Sequence, residues 1–370
     1  MNILQLCLSS GLGGLELYVY RASDALQNRH KVTAVLQQGS KLDDYFEQHS
    51  SISRHHLKRR SGPLPIINAR KLARIIDDNE IDLLHMHWGK DFALAALAKT
   101  LSKRKPKLVY TRQMMVTRYK NDFYHRFLYS QLDLLLTITR QLEQLYKIFV
   151  PGENLDVRAL YYGVKPPQHV PGHDEIVTMR MDKGFSEDDF IIGLFGRLED
   201  GKGQHLLIKA VSMARQNDKT VKALIVGHEM EHGYRQVLID LAESLGVRDD
   251  IVFNDFVDEP QQLMQICDCI CLTTYEETFG LVLPEAMRAG VAVIGSDKGG
   301  VPEIIDHQKT GLLFESKNAA SLYQQIAQLY DDPAMKQQLA SKGKEKADST
   351  FDNDLHFDKL ENILSDIIKK

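Results

Sequence analysis

Short runs of apolar residues alternate along this chain with longer stretches in which apolar residues recur every three or four positions. The short runs predict β-strands, and the longer stretches predict amphipathic helices. In the first half, the predicted strands cover 2–8, 31–37, 81–86, 107–111 and 133–138, and the predicted helices cover 14–28, 66–79, 91–103 and 120–131. This alternation is typical of a parallel sheet with helices on both faces.

A proline-rich segment, 166–172, interrupts the alternation and is typical of an interdomain linker. The pattern then restarts, with predicted strands at 190–196, 221–227, 250–254, 267–273, 291–295 and 312–314, and predicted helices near 203–216, 233–245, 260–266, 283–290, 318–330 and 352–370. A chain of 370 residues also exceeds one typical core. We therefore expect an α/β chain with two tandem Rossmann-like, doubly wound domains facing a cleft, where such folds bind ligands.

The charge is distributed unevenly along the chain. Residues 1–165 contain 25 Lys and Arg against 15 Asp and Glu, and the remainder contains 21 against 35, so a net charge of −4 divides into +10 and −14. Such an asymmetry indicates that the first half faces an anionic surface. The hydrophobic fraction of 43% and the charged fraction of 26% are those of a soluble globular protein.

Three of the four cysteines, Cys267, Cys269 and Cys271, alternate on an apolar run. This spacing predicts a buried strand with free thiols rather than a metal site, and free thiols fit a reducing compartment. No apolar run reaches the length of a transmembrane helix, and the first residues lack a signal-peptide pattern. We therefore expect a cytoplasmic protein whose membrane contact, if present, is peripheral.

The segment 276–287 carries the strongest chemical signal. It places Glu277 and Glu285 eight residues apart, across the predicted start of a helix at Pro284. A helix start attracts phosphate, and Gly280 allows the backbone to approach a ligand closely. The carboxylates suit the hydroxyls of a sugar and of a ribose on either side of a phosphate, which is the layout of a sugar nucleotide.

Each half of the chain has one glycine-rich segment directly after its first predicted strand. The first, 11–16, differs from a dinucleotide fingerprint because Glu16 takes the place of the third glycine and the second strand ends without an acidic residue. Its backbone N–H groups still suit a pyrophosphate. The second, 193–203, contains Arg197 and Lys202, two cations that can stabilise a departing diphosphate.

Other candidates lie at predicted strand ends and in a basic stretch. His85 and His87 end a strand without a third metal ligand nearby, so we expect His87 to contact the sugar or the acceptor rather than zinc. The loop 296–303 contains Gly299 and Gly300 after another strand. Basic residues interleaved with aromatic ones predict contact with an anionic membrane or acceptor, and a solvated basic face is the alternative. The basic residues concerned are Arg59, Arg60, Arg112, Arg118 and Lys120.

Together these motifs resemble the retaining, two-domain GT-B glycosyltransferases of family 4, over essentially the whole chain. Gly13-Gly14-Leu15-Glu16 resembles the family's Gly-Gly-x-Glu loop, Gly196-Arg197 with Lys202-Gly203 its phosphate-binding segment, and Glu277 to Glu285 its Glu-x7-Glu signature. Asp255 stands where the family usually has glycine. The pair Asp352 and Asp354 is formally a metal-binding Asp-x-Asp, but its place at a helix start favours capping.

The resemblance implies an acceptor-binding domain at 1–165, a nucleotide-sugar-binding domain at 166–351 and a last helix, 352–370, that crosses back to the first domain. It implies catalytic roles for Arg197, Lys202, Glu277 and His87. Glu277 would bind the sugar hydroxyls, Glu285 the ribose, and Gly14 the diphosphate. The full set of implied donor-binding residues is Gly13, Gly14, Glu16, Gly196, Phe279, Gly280, Leu281, Glu285, Gly299 and Gly300.

We therefore expect a retaining, metal-independent hexosyltransferase without a cofactor. Its donor is a nucleotide-diphosphate sugar, with a UDP sugar favoured over guanine and adenine nucleotides, which stay open. Its acceptor is a hydroxyl of a cell-envelope glycolipid or polysaccharide precursor, such as a lipopolysaccharide core or a lipid-linked oligosaccharide, at the inner face of the cytoplasmic membrane. Nucleic acid is not an expected partner. A sugar-nucleotide epimerase and a non-catalytic sugar-nucleotide-binding protein are the alternatives.

Overall fold

The computed structural model describes residues 1–58, 65–150, 155–230 and 232–369. The chain divides into two compact units. The first unit contains Met1–Tyr161 and Asp354–Lys370, and the second contains Tyr162–Asn353.

The first unit is built on a seven-stranded parallel sheet in the order β3-β2-β1-β4-β5-β6-β7. The strands are β1 Asn2–Cys7, β2 Lys31–Gln37, β3 Ser53–Leu57, β4 Leu83–Met86, β5 Lys107–Arg112, β6 Leu134–Thr137 and β7 Val157–Ala159. The helices that precede the second unit are α1 Gly14–Gln27, α2 Lys41–His49, α3 Ile66–Asp78, α4 Phe92–Leu101, α5 Phe123–Ser130 and α6 Arg140–Phe149. A short 3-10 turn, Gly89–Asp91, leads into α4.

The second unit is built on a six-stranded parallel sheet in the order β10-β9-β8-β11-β12-β13. Its strands are β8 Phe190–Phe195, β9 Val221–Val226, β10 Ile251–Asn254, β11 Cys269–Leu272, β12 Ala292–Ser296 and β13 Leu312–Phe314. Its helices are α7 His173–Asp182, α8 Gln204–Gln216, α9 Tyr234–Ser244, α10 Pro260–Met264, α11 Val282–Arg288, α12 Val301–Ile304, α13 Ala319–Asp331 and α14 Pro333–Thr350. The last helix, α15 Asn353–Lys369, lies almost entirely in the first unit.

The central strands are buried along their whole length, as all six residues of β8 show. Helices cover both faces of such a sheet, so each strand consists of continuous apolar residues rather than alternating ones. Cys269 and Cys271 lie in the core beside Ile192 and Ile294, and burial raises the pKa of both thiols. These cysteines are free and act as small apolar side chains, as their spacing predicted.

The prediction of two tandem Rossmann-like α/β domains is confirmed. Every predicted strand has a counterpart within a few residues. Several elements were not predicted, namely β3, β7, α2, α6, α7, α12 and α14. Strand β3 illustrates the reason, because its first four residues, 53–56, contain no apolar run. It pairs with β2 at the edge of the sheet, where these four residues are exposed or half-buried.

The second unit begins before the proline-rich segment. Val164 pairs with Asp352 in an isolated bridge, and its carbonyl oxygen accepts a hydrogen bond from the guanidinium of Arg288. Arg288 is buried and also forms ion pairs with Asp348 at 3.0 Å and Asp352 at 2.9 Å. This buried cation therefore joins the two ends of the second unit, which explains why residues 162–165 belong to it.

Helix α15 packs on the first unit through specific polar contacts. The His356 Nδ1–H donates a hydrogen bond to the Tyr161 carbonyl oxygen at 2.6 Å, and its Nε2 accepts one from the Tyr18 hydroxyl at 3.0 Å. Burial lowers the pKa of His356 to about 4, so the ring is neutral at physiological pH. Glu361 adds an ion pair with Arg29 at 2.8 Å and a hydrogen bond with the His30 ring at 3.1 Å.

Candidate functional site

In the second unit, the glycine-rich segments gather at the carboxyl edge of the sheet. Gly196 and Arg197 follow β8, Gly227 follows β9, Thr273 follows β11, and the Gly299 loop follows β12. Because all these strands are parallel, their carboxyl ends meet at the same edge, where open α/β sheets bind ligands. This edge is the candidate donor site.

An ion pair between Lys202 and Glu277 forms the centre of this edge. The Lys202 ammonium lies 2.7 Å from a Glu277 carboxylate oxygen, and each side chain is 22% exposed. Lys202 ends a 3-10 turn before α8, and its carbonyl oxygen accepts a hydrogen bond from the Thr273 hydroxyl at 2.7 Å. Two predicted residues from separate motifs therefore touch directly, and both are held in place while remaining accessible.

Arg197 lies on the open side of the same edge. Its guanidinium is half exposed and lies 3.0 Å from a carboxylate oxygen of Glu199. Its backbone carbonyl accepts a hydrogen bond from the buried Gln204 amide at 2.7 Å. The backbone of Arg197 is thus fixed, while its charged end can turn to a ligand. Both cations of the predicted phosphate site are present, each beside a carboxylate.

Two glycines allow the loops to pack closely. Gly203 has a φ of +71°, and a Cβ atom there would lie 2.4 Å from the Thr273 carbonyl oxygen. Gly299 has a φ of +65°, and a Cβ atom there would lie 2.0 Å from the Glu277 carbonyl oxygen. The amide of Gly300 donates to that same oxygen at 2.8 Å. The predicted Gly299-Gly300 loop thus positions the backbone of Glu277.

The remaining donor-site candidates lie around α11. Glu285 is half-buried in the first turn of this helix, and its carbonyl accepts a hydrogen bond from Gln261 at 3.3 Å. Gly280 has a φ of +93° and precedes Leu281, the residue before the helix. Phe279 is buried, with its ring edge-to-face against Tyr162 and Phe351. Its side chain therefore belongs to the core, and only its backbone can contact a ligand.

The first unit holds the Gly13-Gly14-Leu15-Glu16 loop at the start of α1. The Gly13 amide donates to the Glu16 carboxylate at 2.9 Å, in a capping-box arrangement. Glu16 is therefore engaged by its own helix and is largely buried. A Cβ atom at Gly14 would meet open space, so the backbone there is accessible.

His85 and His87 form a buried pair whose ring centroids are 4.1 Å apart. The Nε2 atom of His87 is 2.7 Å from the Gln5 side-chain oxygen, and that of His85 is 2.7 Å from the Thr111 hydroxyl. Burial, and secondarily repulsion from His85, holds the pKa of His87 well below its usual range. His87 is thus a neutral hydrogen-bonding group. Within the described part of the chain, no cluster of three or more His, Cys, Asp or Glu residues is arranged to hold a metal ion.

The basic candidates occupy different environments. Arg118 is exposed, whereas Lys120 is half-buried at the wall of a cavity. Arg112 is not a surface cation, because its guanidinium donates hydrogen bonds to the Tyr110 hydroxyl at 2.7 Å and to the carbonyl oxygens of Met114 and Met115. Arg59 and Arg60 lie outside the described residues.

Several residues at the donor edge were not predicted individually. Thr273 orients Lys202, Gln204 orients Arg197, and a Cβ atom at Gly227 would lie 1.9 Å from the Gly196 carbonyl oxygen. Thr273 ends a predicted strand, which was the available signal. Asp255, which departs from the usual glycine, is exposed and pairs with Arg235 at 2.6 Å.

Comparison with known proteins agrees with this architecture. Residues 12–164 match the family described as Glycosyltransferase Family 4, and residues 176–346 match the family described as Glycosyl transferases group 1. The chain is 25% identical over 314 residues to the N-acetyl-alpha-D-glucosaminyl L-malate synthase of Bacillus anthracis, an alignment that covers 83% of this chain and 80% of that protein.

Two solved structures show the same fold. HepE of Anabaena, crystallised with UDP, aligns with a TM-score of 0.87 at 23% identity, over 99% of this chain and 100% of that one. The lipopolysaccharide outer core galactosyltransferase WaaB aligns with a TM-score of 0.76 at 15% identity, again over 99% and 100%. In the part of this chain that the structure describes, no helix combines the length and apolarity needed to span a bilayer.

Proposed function

This chain belongs to the group 1 glycosyl transferases of family 4 and has the GT-B fold, and from that premise we propose that it moves a hexose from a UDP sugar to a hydroxyl of a cell-envelope glycolipid or polysaccharide precursor. The proposal includes retention of the anomeric configuration and independence from metal ions. The observation that carries it is the Lys202–Glu277 pair, accessible beside Arg197 at the carboxyl edge of the second sheet.

The chemistry follows from the charges at that edge. As the acceptor oxygen bonds to the anomeric carbon, the bond from that carbon to the diphosphate oxygen breaks, and the acceptor proton passes to the departing diphosphate. Negative charge then grows on the diphosphate, where Lys202 and Arg197 stabilise it. The Glu277 carboxylate accepts hydrogen bonds from the sugar hydroxyls. In this proposal the acceptor attacks on the face that the diphosphate leaves, so no carboxylate has to serve as a nucleophile.

The choice of uridine rests on similarity. HepE of Anabaena was crystallised with UDP and with UDP-glucose. For this chain we expect UDP to raise the unfolding temperature more than GDP or ADP, because a ligand that binds only the folded state stabilises it by ~2.7 kcal/mol at one hundred times its dissociation constant. A thermal-shift panel of the three diphosphates, with EDTA and separately with Mg²⁺, measures this.

An equal shift in EDTA and in Mg²⁺ supports metal independence, whereas a shift that requires Mg²⁺ contradicts it. Turnover of UDP-glucose, UDP-galactose and UDP-N-acetylglucosamine, followed by NMR, separates the alternatives. Isomerised donor in the absence of acceptor would indicate an epimerase. A donor that binds and is never consumed, with a range of glycolipid acceptors, would indicate a non-catalytic binding protein.

The proposed membrane contact has its own support in the first unit. Phe123, Tyr119 and Met114 are exposed by 88%, 61% and 56%, next to the basic Arg118. Aromatic and basic groups together favour an anionic membrane surface. We expect the protein to sediment with phosphatidylglycerol vesicles and not with phosphatidylcholine vesicles, and Phe123→Ala to weaken binding about tenfold, since burial of such a side chain contributes about 1.5–3 kcal/mol.

Phe256→Ala is the matched control, because Phe256 is 63% exposed but lies in the second unit. Equal loss of vesicle binding in the two variants, or equal binding to both kinds of vesicle, contradicts the membrane role of the Phe123 region.

A further inference from the structure

The first unit contains a cavity of about 320 Å³ at the carboxyl edge of its sheet. Leu8 follows β1, Gly89 follows β4, and Arg112 ends β5, and all three line this cavity. The starts of α4 and α5 close its sides. A concave site at this edge of a doubly wound sheet is where such folds bind small molecules.

Arg112 is fixed in the wall of the cavity. Its three nitrogen atoms donate to the Tyr110 hydroxyl and to the carbonyl oxygens of Met114 and Met115, which sets the plane of the guanidinium. Gly89 lies directly against it, and a Cβ atom there would be 2.6 Å from the Arg112 Nη1 atom. A cation held in this way is preorganised, so it can bind a planar or tetrahedral anion without losing further conformational entropy.

The charges around the cavity leave positive charge in excess. Among the described residues, Arg112, Lys90 and Lys120 line it as cations, and Asp91 supplies the one lining carboxylate. That carboxylate already accepts a hydrogen bond from the Leu8 amide at 2.8 Å. His125 is paired with Asp122 at 2.6 Å, and Lys90 lies over the Trp88 ring.

Lys120 differs from the other lining cations in the groups that surround its ammonium. Among the described residues, no carboxylate lies within ion-pair distance of its ammonium. Its burial, followed by repulsion from Arg118 and Arg112, lowers the pKa of Lys120, and attraction to Asp122 offsets only part of that lowering. An anion between Lys120 and Arg112 would turn that repulsion into attraction.

The rest of the lining suits a polyhydroxylated molecule. Tyr110, Tyr124, Tyr129 and Tyr146 supply aromatic faces and hydroxyls. Burial raises the pKa of Tyr129 to about 12, so its hydroxyl stays protonated and can donate a hydrogen bond. Aromatic walls with a few polar groups are typical of a small-molecule site.

The family resemblance implies that the first unit binds the acceptor. We propose that in this chain the cavity receives a phosphate or carboxylate group of that acceptor, seated between Arg112 and Lys120. The inference deepens the proposed function and rests on it for the word acceptor. The anionic group can come from a soluble metabolite or from a lipid headgroup, and the chemistry of recognition is the same for both.

Calorimetric titration tests the subsite on the full chain. The probes are sn-glycerol 3-phosphate, L-malate and glycerol, and UDP is titrated into the same samples. We expect one or both anionic probes to bind and glycerol not to bind. Lys120→Ala should weaken anion binding about tenfold, the loss expected for a hydrogen bond to a charged group. Arg112→Lys, which keeps the charge but loses the planar fork, should weaken it to a similar degree.

Lys71→Ala is the control, because it removes an exposed cation of the same unit, on α3, that does not line the cavity. Equal weakening in Lys120→Ala and Lys71→Ala, or equal binding of glycerol and glycerol 3-phosphate, overturns the proposal. If UDP binds normally in that case, the proposed transferase function stands and only the subsite is wrong. Failure of UDP binding in the wild-type protein would instead contradict the proposed function.

A second arm identifies the source of the anion. Glycerol 3-phosphate is compared with phosphatidic acid in neutral detergent micelles, each as a competitor of the other. Stronger competition by phosphatidic acid assigns the subsite to a lipid headgroup, and stronger competition by glycerol 3-phosphate assigns it to a soluble acceptor. Absence of competition would show that glycerol 3-phosphate and phosphatidic acid do not bind in the same cavity, which contradicts the proposal of one shared subsite.

Discussion

Lys202→Ala is expected to lower the kcat of sugar transfer by about 100- to 1,000-fold, the usual effect of removing one preorganised group that stabilises developing negative charge. Two effects combine in this variant. The departing diphosphate loses a cation, and the Glu277 carboxylate, 2.7 Å from that cation in the wild type, is left without it. The uncompensated carboxylate would repel the diphosphate. Steady-state kinetics with a UDP sugar measure the loss, and circular dichroism checks the fold.

The double variant Lys202→Ala with Glu277→Gln separates these two effects. If repulsion from Glu277 contributes, the double variant binds UDP more tightly than Lys202→Ala does, and the two substitutions are not additive. Lys209→Ala is the control, since Lys209 is an exposed lysine on the following helix, α8. Near wild-type turnover in Lys202→Ala would exclude the phosphate-stabilising role.

Gly299→Ala is the second substitution for which a large effect is expected, about 100-fold in kcat/KM. The new Cβ atom would lie 2.0 Å from the Glu277 carbonyl oxygen and 2.9 Å from its carbonyl carbon, so backbone must move. A displacement of about 1 Å in a positioning group can cost 100-fold in rate. Because the moving segment carries Glu277, the variant should lose activity while keeping most of its secondary structure.

Gly246→Ala provides the matched control. Gly246 has a φ of +68°, close to the +65° of Gly299, but a Cβ atom there would meet nothing within 4 Å. Both variants suffer the backbone strain of a left-handed alanine, about 1–2 kcal/mol, and only Gly299→Ala adds the clash. Equal activity of the two variants would show that Gly299 does not position Glu277.

The sequence predicted the fold well where a strand is buried on both faces. Strands such as β8 and β11 consist of apolar residues because helices cover them, and this signal is visible in the sequence. It is absent from β3, where pairing with β2 at the sheet edge, and not apolar content, defines the strand. Elements whose formation depends on partners distant in sequence cannot be found from local pattern.

For the candidate site, the sequence likewise predicted some of the residues but not the contacts between them. The motifs identified Lys202 and Glu277, but their direct contact depends on the pairing of β8 with β11, which brings residues 75 positions apart together. Local pattern does not distinguish Phe279 from its neighbours in the motif, although its ring is buried in an aromatic cluster. Arg112 was grouped with surface cations because its hydrogen bonds to backbone carbonyl oxygens cannot be predicted from the composition of the segment.

The split of the first unit between residues 1–161 and 354–370 has a consequence for synthesis on the ribosome. Residues 162–353 are translated between its two parts, and at roughly 5–20 residues per second this takes about 10–40 s. During that interval Tyr18, which later packs against His356 and Phe357, has no helix to cover it. The last residues of the second unit are therefore translated before most of α15, and a stop codon just after Asn353 would remove nearly all of α15 from the first unit while leaving every residue of the second unit in the chain.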